Sequence, residues 1–201
     1  MSDITAKRQN PFVLAAPLVL AALVAVTVGV IARHTADIQA GIVCTQTGLY
    51  TSTCTQTPFF HLFFSDPIHF KVWLASGAMG LGLLQLLSAA RIYGRVRLPL
   101  ADRFWQGAHR WTGRVAILLT LPVAYHCIFL LGFQTMDARV LLHSLFGSAF
   151  YGAFLGKVWI VRARGFPGWA LPIAGGLLFA LLLGLWWTSA LWFFTQHGIS
   201  L

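Results

Sequence analysis

The chain has 201 residues, of which 58% are hydrophobic and 9% charged. A water-covered globule needs about a quarter charged residues, so that class is excluded and lipid must be the main solvent. The net charge of +9 does not signal a nucleic-acid partner, because the cations are distributed as a membrane topology signal.

A helix needs about 20 apolar residues to cross about 30 Å of hydrocarbon. The first stretch that qualifies is 11–32, preceded by Lys7 and Arg8. It is long enough to span and no clear small-residue cleavage site follows it, so it reads as a transmembrane helix and not as a cleaved signal peptide. A Thr-rich loop over 33–67 comes next and holds Cys44 and Cys54. Four more spans are predicted over 68–90, 111–131, 140–161 and 169–194. The expectation is an all-α, five-helix transmembrane bundle forming a single domain over 1–201.

Basic residues orient the bundle. With the N-terminus in the cytoplasm, Lys7, Arg8, Arg91, Arg95, Arg97, Arg103, Arg110, Arg114, Lys157, Arg162 and Arg164 fall inside, while Arg33, Lys71 and Arg139 fall outside. This obeys the positive-inside rule. It puts the C-terminus and the 33–67 loop on the outer side of a bacterial plasma membrane. An oxidising outer compartment favours a disulfide between Cys44 and Cys54. Aromatic residues near both ends of the outer boundary, Phe59 to Phe64 and Trp186 to Phe194, suit the interface.

Seven histidines are present. His69, His126 and His143 are expected at one depth near the outer face. An intramembrane ionisable side chain marks function by default, and two imidazoles can ligate the iron of a b-type haem. His126 with His143 is the preferred pair, and His69 with His143 is its rival. Gly147, four residues after His143 and on the same face, leaves clearance for a flat macrocycle. Ser144, Ser148, Gly152 and Gly156 form a small-residue stripe that equally suits close helix packing. The short 132–139 connection predicts that the third and fourth helices are antiparallel neighbours. Gln85 is expected to hydrogen-bond across helices, and Cys127 to pack as a small apolar residue.

His109 lies 17 residues before His126, about 25 Å along a helix, and so belongs to the cytoplasmic face. With Arg110 and Arg114 it could hold an anionic group, a lipid headgroup or a quinone, or simply anchor the inner boundary. No paired carboxylates occur within the spans, which weighs against a proton or cation pump.

The runs AHRWTGR, LPVAYHC, RVLLHSLFGSAFYGAF and LWWTSALWFF resemble an uncharacterised actinobacterial family of five-helix membrane proteins, over roughly 71–194. That family is distantly similar to haem-b membrane cytochromes, including ferric-reductase-like proteins. The resemblance implies His109, His126 and His143 as the functional histidines. Such cytochromes usually carry two ligand pairs, which this chain does not show, so one haem is expected. The leading expectation is a haem-b electron carrier in a larger respiratory-type complex. It would pass electrons between a quinone or partner subunit and an outer-side redox protein. The alternatives are a cofactor-free structural or assembly subunit, and an outer-leaflet copper or zinc site built from His69, His126 and His143.

Overall fold

The computed structural model describes residues 11–38, 42–46, 52–56, 62–64, 66–163 and 165–199, with the side chains of 11–13, 35–38, 42–46, 52–56 and 130 left outside that description. In chain order it contains α1 (Pro11–Ile38), β1 (Ile42–Gln46), β2 (Ser52–Gln56), α2 (Pro67–Ile92), α3 (Asp102–Tyr125), a π-helical segment π1 (His126–Leu131), α4 (Ala138–Arg162), α5 (Ala170–Trp186), a second π-helical segment π2 (Trp187–Leu191) and α6 (Trp192–His197). Five helical rods are long and apolar enough to cross a membrane: Leu14–His34, Pro67–Ile92, Asp102–Phe129, Ala138–Arg162 and Ala170–His197. Of the cations that carry the orientation, Lys7, Arg8 and Arg164 lie outside the described residues.

Three features differ from the sequence expectation. The 33–67 loop contains an antiparallel pair, β1 with β2, in which Cys44 stands directly opposite Cys54. The cysteine side chains lie outside the described residues. Next, α3 begins at Asp102, not near 111, so Arg103, His109 and Arg110 ride on a helix instead of a loop. Its first turns alternate polar and apolar residues and escape a hydropathy count. Arg91 anchors them by pairing with Asp102 at 2.8 Å. Lastly, α3 and α4 do not pack side by side.

The helices form a ring instead. α1 packs along α4, α4 on α5, α5 on α2, and α2 on α3, and π1 at the end of α3 closes the ring against α1. The reason is the small-residue stripe of α4. A Cβ on Gly152 would stand 2.2 Å from the Ala21 carbonyl oxygen, and one on Gly156 would stand 3.0 Å from that of Pro17. Ser148 meets Gly29 of the same helix. The stripe is therefore the seat of α1, as close packing of membrane helices requires. The 132–137 connection reaches across the end of α1, where the Phe133 amide donates to the Ala32 carbonyl at 3.0 Å. Buried Met79, Phe150 and Leu182 join α2, α4 and α5 into the main core cluster.

The end of the ring next to the hairpin is capped by carboxylates. Asp66 precedes Pro67, the first residue of α2, and accepts from the amides of Ile68 at 2.6 Å and His69 at 2.9 Å. Proline suits that first position because its missing N–H would have no helical partner. Asp137 caps α4 in the same way through Val140. Burial pushes the Asp66 carboxyl up, but the hydrogen bonds from His69 and Ile68 outweigh it and hold the group below its ordinary 3.8. A lowered folded-state value means that the cap's contribution is complete above that ordinary value and is lost as pH falls through the folded one. Asp66→Ala should cost about 1 kcal/mol. A thermal melt of the two proteins at neutral pH, repeated in acid, should show the gap close; a gap that persists in acid would refute the cap.

Candidate functional site

Two histidines have their ring tautomer set by neighbours. Thr188 is buried, and its hydroxyl donates to the Gly184 carbonyl at 2.8 Å. That leaves its oxygen as the acceptor for His143 Nδ1–H at 3.0 Å. The neutral His143 ring then carries its lone pair on Nε2. His126 is fully buried, and its Nδ1 lies 2.8 Å from the Pro122 carbonyl, which can only accept. Its lone pair is on Nε2 as well. A fixed Nδ1–H donor is the arrangement that prepares an imidazole to ligate a metal through Nε2.

Both positions coincide with π geometry. His126 opens π1 and Thr188 lies in π2. A π turn displaces carbonyls from the regular ladder and is frequent at functional sites. One displaced group, the Thr188 carbonyl, accepts from Arg139 Nη1 at 2.9 Å, and the Arg139 guanidinium sits 3.9 Å over the Trp192 ring. Arg139, Thr188 and His143 are thus one connected unit running inward from the hairpin end.

His143 opens into a chamber of about 100 Å³ at the centre of the ring. All five rods contribute: Val28 and Ala32 from α1, Ala75 from α2, Ala124 and Cys127 from the third, Gly147 and Tyr151 from α4, and Trp186 from the fifth. Its floor is a bond across the ring, from the Tyr151 hydroxyl to the Thr120 carbonyl at 3.1 Å. Gly147 lines the chamber beside His143. His126 does not appear among the described lining residues. Its neighbours Ala124, Cys127 and Ile128 form the wall, while its own ring packs edge-on against Phe70 of α2 at 5.8 Å.

The other candidates are placed elsewhere. His69 donates to Asp66 at 2.5 Å and meets Phe193 edge-on, so it belongs to the α2 cap. Among the described residues no three metal-ligating side chains gather, and the rings of His69, His126 and His143 are each held by a different partner. His109 turns toward α2, with Nδ1 2.8 Å from the Ser88 oxygen. Gln85 of α2 bonds the His109 carbonyl and Thr112, in space left by Gly113. Arg110 and Arg114 are exposed, bonding Gln106 and covering Trp111 respectively. The ring of His109 is therefore engaged in the α2–α3 contact, and the two arginines face away from it.

A comparison with protein families matches residues 14–201. The chain belongs to DUF6529, a family of unknown function. The match covers all five rods and so includes every residue of the chamber. No curated protein and no solved structure matches significantly. For DUF6529 the chamber geometry is accordingly the main guide to chemistry. Sequence reasoning did not anticipate Thr188, although a lone Thr-Ser pair in the apolar run LWWTSALWFF was a usable signal. It had no means of finding Thr120 as the partner of Tyr151.

Proposed function

We propose that the protein is an electron carrier of a bacterial plasma membrane, with its N-terminus cytoplasmic and its hairpin outside, holding one b-type haem in the chamber half of the ring. The observation that carries this reading is His143: a half-buried imidazole, held as the Nδ1–H tautomer, that lines a mainly apolar chamber where α3 and α4 do not pack side by side. The donor chemistry fits the group, since haem iron takes neutral imidazole nitrogen. At about 100 Å³ the chamber is below the roughly 300 Å³ at which ligand pockets begin. Binding would therefore widen the gap between α3 and α4, which share no extended interface but are joined by the Tyr151–Thr120 hydrogen bonds.

His143 would hold one face of the iron, with Gly147 giving clearance, and His126 would supply the second nitrogen by turning from Phe70. Haem, when bound, supplies a reversible one-electron site. The chain's residues orient His143 through Thr188 and Arg139 and exclude water with an apolar wall. The size and short connections suit a subunit of a respiratory-type complex that delivers electrons to an outer-side redox protein. A reduced-minus-oxidised absorption spectrum of the purified protein tests the reading. Bands of a b-type haem are expected, and their absence after mild purification would sink it.

The orientation carries a second expectation. Directly opposed antiparallel residues have Cα atoms about 4.5–5.5 Å apart, within the span that a disulfide tolerates. Cys44 and Cys54 hold that register, and on the outer side they would be oxidised. Alkylation of the denatured protein should modify only Cys127 before reduction and all three cysteines after it. Three modified cysteines without reductant would exclude the bridge.

A further inference from the structure

The ring is incomplete on one side. α1 reaches the third rod at π1 and separates from α3 below it. Between them lies an apolar cleft of about 300 Å³, walled by Val28, Leu121, Ala124, Ile128 and the Tyr125 and Tyr151 rings among others. Leu121, Tyr125 and Phe129 remain 48%, 46% and 46% exposed on this face, so the cleft opens sideways to the hydrocarbon. Val28, Ala124, Ile128 and Tyr151 line both the cleft and the central chamber. The two spaces therefore adjoin.

The lining defines what can enter. None of its described lining residues is charged, so a phosphate or carboxylate headgroup would meet no counter-charge there. Its polar atoms are phenols, and the Tyr151 hydroxyl is already committed to Thr120. Tyr125 and Phe129 present tilted rings 5.6 Å apart, a surface for flat conjugated groups. Such a lining suits an uncharged, planar ring on an apolar tail that arrives from the bilayer. We infer that the α1–α3 cleft binds a membrane quinone, its ring against the Ala124–Tyr151 wall and its tail in lipid. Choosing a quinone over another flat neutral lipid rests on the electron-transfer reading, and it moves the quinone site away from His109, Arg110 and Arg114.

The test uses the purified full-length protein in detergent micelles. An azido-substituted, alkyl-tailed quinone is photolysed with it, and the labelled peptides are mapped by mass spectrometry. Label in the 121–129 region is expected, displaced by excess decylubiquinone. Label at 102–114, or label that decylubiquinone does not displace, overturns the proposal. Ala124→Phe and Val28→Phe fill the cleft from opposite walls, and each should cut labelling at least tenfold. Undiminished labelling of either folded variant also overturns it. The absorption spectrum is recorded on the same samples. Labelling without haem bands removes the haem and leaves the quinone site; haem bands without labelling do the reverse.

Discussion

Replacing Gly152 by alanine should loosen α1 from the bundle and lower the thermal midpoint by about 4–8 °C, a shift that corresponds to about 2 kcal/mol in a chain of this size. The added methyl would stand 2.2 Å from the Ala21 carbonyl oxygen and 3.1 Å from its carbon. Both are backbone atoms, so the contact can be relieved only by moving a helix. Overpacking costs about 1–3 kcal/mol, and so severe an approach belongs at the upper end. Alanine's better helix propensity returns about 1 kcal/mol. Gly176→Ala is the matched control: nothing lies within 4 Å of its added methyl, so it should hold or raise the midpoint. Equal midpoints for the two variants would disprove the α1–α4 seat.

His143→Ala should abolish the b-type absorption bands while the protein still inserts and purifies as a folded helical species. The ring is the only imidazole among the chamber's described lining residues, so its loss leaves the iron no ligand on that face. Thr188→Val should act less severely, because it removes the hydroxyl that fixes the tautomer but not the ligand. Losing such a supporting contact weakens metal binding about 10–100-fold. Thr188→Ser should restore it. His109→Ala should leave the bands intact, since that ring faces Ser88 across the α2–α3 contact. A cofactor-free assembly subunit predicts the opposite pattern: no bands in any protein, and no distinction between the His143 and His109 variants. Full bands in folded His143→Ala would defeat the proposed ligand.

Much of the scaffold was legible in the sequence because lipid imposes a simple rule. Backbone groups must be satisfied within each segment, so runs of apolar residues can only be helices, and five runs gave five rods. The start of α3 was missed for the same reason. Its polar-apolar alternation over 102–110 is helical in period but not apolar in sum. The α4 stripe was readable as small residues at spacing four, although not which helix would occupy it.

Chain order suggested that α3 and α4 pack together, and three-dimensional contacts decided otherwise. The small-residue stripe of α4 sits against the backbone of α1, which comes from the far end of the sequence, and a short connection constrains only where two helices begin and end. The sequence alone determined five helices long and apolar enough to cross a membrane, with histidines inside them. The tertiary structure alone decided that His143 opens into a central chamber, that His126 turns to Phe70, and that a lateral cleft adjoins them. Hydrophobic length is a property of each segment, whereas the direction of an imidazole depends on which distant carbonyl or hydroxyl, here Pro122 and Thr188, holds its other nitrogen.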